Sequence, residues 1–405
     1  MVAVIYLYFL VIFIGIIAGI FTGLIPGVHI NLISMLLLTY FVFLLKFFEI
    51  NFLVIFIIVM GVTHTFIDFI PSVIFGIPDS DTALSVLPAH RLVLNGEAYK
   101  AIFLSSIGSL FGMFFSIFFV ILFYFFLENF YLFIKNYIWI FLIFVLIISV
   151  FLERTISKKF WALFVVFLSV GFGFLILNSS ILSSPLLVLF SGFFGISSIL
   201  NSILENESKL PEQKFNFDFN FDLNFFKAVF VGGISSSICS TTPGIGNSQA
   251  ATMATLFFKN ISSELFIVCV SSINTINFIL SFMTFYLISK ARNGSVFVIS
   301  QITPEISFGD LFFYFLIIIL VSIIGFFLTL LIGKKLIKIV FKLNLKLINL
   351  SVLILIFIII FYFSGFFGIL VLIASTMLGY FTILIGIRRV NLMAVLLVPV
   401  IFNLI

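Results

Sequence analysis

Residues 15–37 read GIIAGIFTGLIPGVHINLISMLL, and residues 232–257 read GGISSSICSTTPGIGNSQAATMATLF. In both, a Gly-rich apolar arm runs into Pro-Gly, then one branched residue, then a polar group, then a second apolar arm. Pro26-Gly27 thus corresponds to Pro243-Gly244, and a helix is expected to restart near Asn31 and near Ser248. At about 15 residues, or about 22 Å as helix, the arms 228–242 and 245–258 are too short to cross a ~30 Å hydrocarbon core. They predict re-entrant hairpins with Pro-Gly at the tips. A second, weaker likeness follows each hairpin: Thr65-Phe66-Ile67-Asp68-Phe69-Ile70 against Thr275-Ile276-Asn277-Phe278-Ile279. Two likenesses in the same order argue for a duplicated unit.

The surrounding chain sets the solvent. Of its 405 residues 63% are hydrophobic and 9% charged, against roughly 45–50% and about 25% in soluble domains. At about 20 apolar residues per span there is material for ~12 membrane helices. Apolar runs are expected near 4–25, 28–45, 52–77, 101–127, 136–152, 160–177 and 183–203, then near 228–242, 245–258, 262–289, 308–333, 347–364 and 365–386, with a short tail after Asn391. The fold class is therefore an all-α polytopic membrane protein. A transmembrane β-barrel is excluded, because its strands alternate apolar and polar residues. The division expected is 1–203, a first membrane repeat plus connecting helix; 204–227, a polar and aromatic interfacial linker; and 228–405, a second repeat. Within the linker, Phe215-Asn216-Phe217-Asp218-Phe219-Asn220-Phe221-Asp222 has the period of a strand. Beside a bilayer an interfacial linker is preferred, since a lone strand leaves its edges unpaired.

The net charge of +5 comes from Lys and Arg in the breaks between apolar runs, which reads as a topology signal rather than a nucleic-acid surface. Lys334, Lys335, Lys338, Lys342 and Lys346 are assigned to the cytoplasm, as are Arg154, Lys158 and Lys159. Counting spans back from each cluster opens the second hairpin to the cytoplasm and the first to the exterior. The two repeats are then inverted, with Lys46, Lys135, Lys290 and Arg292 on the unexpected side. Residues 1–10 carry no basic residue, so the first apolar segment is read as retained and not as a cleaved signal. Cys239 and Cys269 both lie in apolar runs and offer neither a zinc spacing nor a disulfide framework.

Inverted repeats with interrupted helices describe secondary transporters. A Pro-Gly break frees backbone amides that lipid cannot satisfy, so it survives where it lines a cavity or holds a ligand. The restarted helix also points its positive end at the break, where an anion fits. Thr22, Gly23, Pro26, Gly27, His29 and Asn31 form one candidate substrate tip; Thr241, Thr242, Pro243, Gly244, Gly246, Asn247 and Gln249 form the other. Close helix packing is the alternative reading for Gly15, Gly19 and Gly23. His64 and Asp68 stand at i and i+4 in an apolar run, on one helical face. Charges at membrane depth are usually functional, so with Asn277 they are candidates for coupling transport to H+ or Na+, a structural ion pair being the alternative. His90, beside Arg91, is read as a solvated or interfacial loop residue. No cofactor and no metal site is expected.

The stretch Phe75-Gly76-Ile77-Pro78-Asp79-Ser80-Asp81-Thr82-Ala83, together with GLIPGVHIN, TTPGIGNSQA and Asn95-Gly96-Glu97-Ala98, resembles the TctA family, the large permease subunit of tripartite tricarboxylate transporters, in its shorter archaeal-type branch. The resemblance covers most of 10–115 and 228–280. It implies that hairpins from the two halves enclose the substrate, through Thr22, Pro26, Gly27 and Asn31 and through Thr242, Pro243, Gly244 and Asn247. It also marks Pro78, Asp79, Asp81 and Thr82 as a family motif loop, and a small permease subunit and a solute-binding protein as partners. The second half lacks the family's long Gly- and Glu-rich motif, which leaves substrate and partners open. The expected function is secondary transport of a small organic anion, carboxylate-type, across the cytoplasmic membrane by alternating access, with a homodimer among the assemblies considered. A polyprenyl-phosphate or other lipid-phosphate carrier is the alternative. An intramembrane enzyme is the more distant one, since only His64 and Asp68 offer paired chemistry.

Overall fold

The computed structural model describes residues 2–25, 30–76, 83–134, 136–177, 182, 185–204, 211–242, 246–258, 261–340 and 345–405. Long apolar runs become long helices because every backbone polar group is then satisfied within its own segment. The first half holds α1 (Val2–Leu24), α2 (Ile30–Thr39), α3 (Phe41–Leu44), α4 (Ile50–Ile67), α5 (Phe69–Ile74), α6 (Val86–Leu94) and α7 (Ala98–Ile134). A middle group follows: α8 (Ile138–Phe151), α9 (Ile156–Phe172), α10 (Pro185–Phe190) and α11 (Ser197–Leu204). The second half holds α12 (Leu223–Thr241), α13 (Asn247–Ala254), α14 (Ser263–Ile288), α15 (Gly294–Ile302), α16 (Phe308–Val340), α17 (Leu345–Ile385) and α18 (Ala394–Leu404). Among the described residues there is no strand, and eight helices are long and apolar enough to cross a membrane. Large apolar side chains cover the outside, Phe125, Phe133, Phe167 and Tyr362 among them. Such a surface belongs in lipid.

Two helices sit at the centre. In its most apolar stretch α14 is 94% buried and the α4–α5 span 83%, against 22–33% for α1, α7 and α16. They cross antiparallel, with Phe278 against Gly61 and Asn274 bonded to Asp68. Each has a glycine- or serine-lined arm laid parallel along it. Gly15, Gly19 and Gly23 of α1 meet Val59, Thr63 and Ile67 of α4; Gly232 of α12 meets Ser272 of α14, and Ser236 donates to the carbonyl of Ile273. Each also has a long helix of the other half beside it: Gly108 and Gly112 of α7 lie on Ser271 and Ser272, and Gly325 of α16 on Phe66. The three glycines of α1 therefore pack helices, the alternative weighed above.

Helix boundaries follow the punctuation of the chain. The arms restart at Ile30 and Asn247, each one residue from its expected place. Helix α4 gives way to α5 at Asp68, where Pro71 has no N–H for the carbonyl three to four residues before it. At Gly365 φ is +61, which interrupts α17 between the two apolar runs expected there. Several regions differ from expectation. Helix α12 starts at Leu223 and not near 228, and at 19 residues it is long enough to cross a membrane, as is α1, so shortness of the arm does not argue for re-entrance there. Helix α15 lies between two expected runs. Residues 86–94, read as loop, form α6 with His90 and Arg91 inside it, because Pro88 lies in the first turn, where its missing N–H costs nothing.

Residues 215–222 form neither helix nor strand. Phe215 packs against Tyr99, Phe217 against Tyr99 and Phe103, Phe219 against Phe103 and Phe221 against Phe111, in tilted or edge-to-face pairs. Two extended residues advance about 6.6 Å and four helical residues about 6 Å, so the period of two matches the i, i+4 ladder of α7. The strap is anchored at the corner before α7. Gln213 Oε1 accepts from the N–H of Ala98, and the N–H of Lys214 donates to the carbonyl of Gly96. Gly96 turns at φ +79, where a Cβ would stand 2.8 Å from the carbonyl oxygen of Glu212.

Candidate functional site

The crossing of α4 and α14 carries a row of polar side chains inside an apolar core. Thr22 of α1 is 3% exposed; its hydroxyl donates to the carbonyl of Gly19 and stands 3.1 Å from His64 Nδ1. His64 Nε2 lies 4.0 Å from Asp68 Oδ2. The same Oδ2 accepts from Asn274 Nδ2 at 2.9 Å, Asn274 Oδ1 accepts from Asn247 Nδ2 at 2.8 Å, and Asn247 Oδ1 accepts from Asn277 Nδ2 at 2.6 Å. All six side chains are at most 8% exposed. The chain starts on the first hairpin, runs through both central helices and reaches the second hairpin at Asn247, the first residue of α13. Asn277 Oδ1 accepts no hydrogen bond among the described residues. A buried carboxylate is costly unless it is hydrogen-bonded, and here the amide of Asn274, 206 residues away in sequence, donates to Asp68.

Of the sequence-designated residues, the structure thus brings together Thr22, His64, Asp68, Asn247 and Asn277. It adds Asn274, which the sequence reading did not single out. Gly23 lies against Ile67 and the N–H of Asp68, under the same chain. Gln249 Oε1 accepts from the N–H of Gly246 at 2.9 Å and so closes the first turn of α13. The hydroxyl of Thr241 donates to the carbonyls of Ser237 and Ile238, and that of Thr242 to Ile238. Both therefore finish α12 and would have to turn to meet a ligand. Pro26, Gly27, His29, Pro243 and Gly244 lie outside the described residues, as do Pro78, Asp79, Asp81 and Thr82 of the motif loop and the side chain of Asn31.

A second buried polar cluster lies on the C-terminal elements. Glu153 Oε1 accepts from the N–H of Arg388 and from Asn391 Nδ2. The Arg389 guanidinium donates to the hydroxyls of Ser197 and Ser198 and to the carbonyl of Phe193, and lies over the Phe194 ring. Residues Ser191–Ile196 form a π-helical turn, whose looser ladder frees carbonyls for such a donor. Arg388 and Arg389 read in sequence as topology markers; nothing local tells a solvated arginine from a buried one.

Two central helices, each with an interrupted helical arm packed along it, and a polar chain joining them within a multi-pass helical protein of the cell membrane fit the class of transporters and permeases. The chain belongs to the tripartite tricarboxylate transporter TctA family, whose model matches residues 9–394. It is also similar to the uncharacterized protein MJ1079 of Methanocaldococcus jannaschii, at 30% identity over 337 residues, covering 83% of this chain and 82% of that one. No solved structure matches. The family is one of transporters, and tripartite systems usually add further subunits and a solute-binding protein.

Proposed function

We propose that this protein is a secondary permease that moves a small carboxylate anion by alternating access, coupled to H+ or Na+ through Asp68. The observation that carries the reading is the chain Thr22–His64–Asp68–Asn274–Asn247–Asn277, because it ties an ionisable group to both hairpins at the antiparallel crossing of the two halves. Its two units, 1–203 and 228–405 joined by the linker 204–227, are read as inverted repeats. That reading is supported by three pairs of corresponding helices, α1 with α12, α4 with α14 and α7 with α16, that run in opposite senses. The anion is placed at the hairpin tips, at the positive ends of α2 and α13. A small permease subunit and a solute-binding protein are the proposed partners.

Citrate serves as the tricarboxylate probe for the purified full chain in proteoliposomes. Asp68→Asn is expected to abolish accumulation driven by a pH or sodium gradient while leaving citrate counterflow measurable. Accumulation at the wild-type level by this variant would remove Asp68 from coupling. One feature favours the lipid-phosphate reading as a second possibility. An apolar groove of about 410 Å³ between α7 and α12, lined by Phe119, Phe123, Phe126, Ile234 and Ile238, ends at Thr241. Thermal stabilisation by a long-chain prenyl phosphate, with none by citrate, selects that reading.

A further inference from the structure

The amides between Asp68 and the second hairpin all point one way. Asn274, Asn247 and Asn277 each donate Nδ2 toward Asp68, and Asn274 and Asn247 each accept on Oδ1 from the next residue out. This direction is set at the Asp68 end, since an ionised carboxylate only accepts. It leaves an acceptor, Asn277 Oδ1, at the far end. A protonated carboxyl carries one O–H and can donate. Asn274 can then turn its Oδ1 to that O–H, Asn247 and Asn277 follow by the same half-turn of their amides, and the far end presents Asn277 Nδ2 as a donor. The number of hydrogen bonds within the chain is unchanged by the reversal; only its direction changes.

We infer that the Asp68–Asn274–Asn247–Asn277 chain is a reversible relay in which one proton taken up by Asp68 converts Asn277 from acceptor to donor, so that the carboxylate anion is bound together with a proton. This rests on the permease reading above and specifies its coupling ion as H+. The electrostatics agree in sign: an anion near the second hairpin is repelled by Oδ1 and held by Nδ2–H, and protonation also removes the negative charge at Asp68. Among the described residues, polar and titratable groups lie on Asp68's own helix and on the elements around it. His64 of its own helix stands 4.0 Å away. Helix α1 brings Thr22, with Tyr6 and Tyr8 near its other end, and α14 brings Asn274, with Cys269 more than a turn away, Tyr286 at the far end and Glu264 bonded to Lys100. Helix α6 carries His90 and Arg91. Helix α7 has Tyr99 and Lys100 at its start and Tyr124, Glu128 and Tyr131 toward its end. Helix α16 has Asp310 and Tyr314 at one end and Lys334, Lys335 and Lys338 at the other. The arms α2 and α15 contribute no titratable group.

Citrate affinity of the full chain in nanodiscs, followed above about pH 7 so that the citrate charge is constant, gives the coupling as a slope. The wild type is expected to lose about tenfold in affinity per pH unit where Asp68 is ionised, the slope for one linked proton. Asp68→Asn should hold the acid-limit affinity at every pH, and Asn277→Leu should bind at least tenfold more weakly with the slope abolished. A ligand-free measurement stands beside it. In infrared pH-difference spectra the Asp68 carboxyl band, identified by its loss in Asp68→Asn, should appear together with changes in side-chain amide carbonyl bands. In Asn277→Leu the carboxyl band should remain and the amide changes shrink. Wild-type spectra with a carboxyl band but no amide change, or an unaltered slope in Asn277→Leu, overturn the relay and leave the permease reading standing. Amide changes that follow Asp68 with no citrate binding at any pH overturn the carboxylate reading and leave the relay. A citrate affinity set by sodium and indifferent to pH overturns H+ as the coupling ion.

Discussion

At the scale of single residues, the glycines of α1 and α9 separate packing from permissiveness. A Cβ at Gly19 would stand 2.5 Å from Thr63 Cβ and 2.7 Å from the Met60 carbonyl oxygen, and the latter is backbone that cannot rotate away. Gly19→Ala must push α1 off α4 and draw Thr22 from His64, so a loss of about 1–3 kcal/mol is expected, as for overpacking elsewhere. At Gly171 in α9 a Cβ meets nothing within 4 Å, so Gly171→Ala should be neutral or stabilising by up to about 1 kcal/mol through helix propensity. Thermal unfolding in detergent compares the two, and equal effects would sink the packing assignment. From the sequence, His64 and Asp68 stand out as charges four apart in an apolar run. Asn274 does not, because it sits among many small polar residues of α14 and its partner belongs to another helix. Likewise, that Gly15, Gly19 and Gly23 face a neighbouring helix shows only in the structure, where Val59, Thr63 and Ile67 stand opposite.

At the scale of elements, the start of α12 depends on the strap before it. Asp222 caps the helix, its Oδ1 accepting from the N–H of Phe225 at 2.8 Å and its Oδ2 from Asn224 Nδ2 at 3.0 Å. The Phe225 N–H first, and the Asn224 amide second, hold the Asp222 carboxyl below its ordinary pKa. A carboxyl depressed in the folded state stabilises fully above its unfolded pKa and loses that contribution as pH falls through the folded value. Protection of the Phe225 amide in hydrogen–deuterium exchange should therefore fade on acidification below about pH 4. In Asp222→Ala it should be low at all pH values; a variant as well protected as the wild type would dismiss the cap. The hairpin restarts and the break in α17 were legible because Pro and Gly announce them. Helix α6 was not, since a proline in a first turn and a proline in a loop look alike in one sequence. The alternation of Phe215 to Phe221 was visible, but its partner was not: the matching ladder is a helix face, which a search for strands does not find.

At the scale of the whole molecule, side-chain pairs assign the ends of the helices without reference to a membrane. Lys334 and Lys338 lie over Phe215, Lys334 also over Tyr99, and Lys100 bonds Glu264, which gathers the starts of α7 and α14 with the end of α16. At the opposite end Arg292 bonds Tyr131, and Tyr8 packs on Phe52 and Phe313. Lys46, a few residues before α4, belongs with that second group. The positive-inside rule puts the lysine-rich end in the cytoplasm, so Lys46 and Arg292 face outward despite their charge. Scattered cations at that end, Lys290 beside Arg292 among them, against a dense lysine cluster are a bias the rule tolerates. Single cysteines at Lys46 and Lys335, both exposed positions, test this with a membrane-impermeant thiol reagent on intact cells, after replacement of the buried Cys239 and Cys269. Lys46→Cys should label from outside, and Lys335→Cys only once the membrane is permeabilised. Both sites labelling from the same face would contradict the gathered helix ends themselves, whereas exchange of the two faces would keep the helix arrangement and reverse the proposed orientation of the two arms.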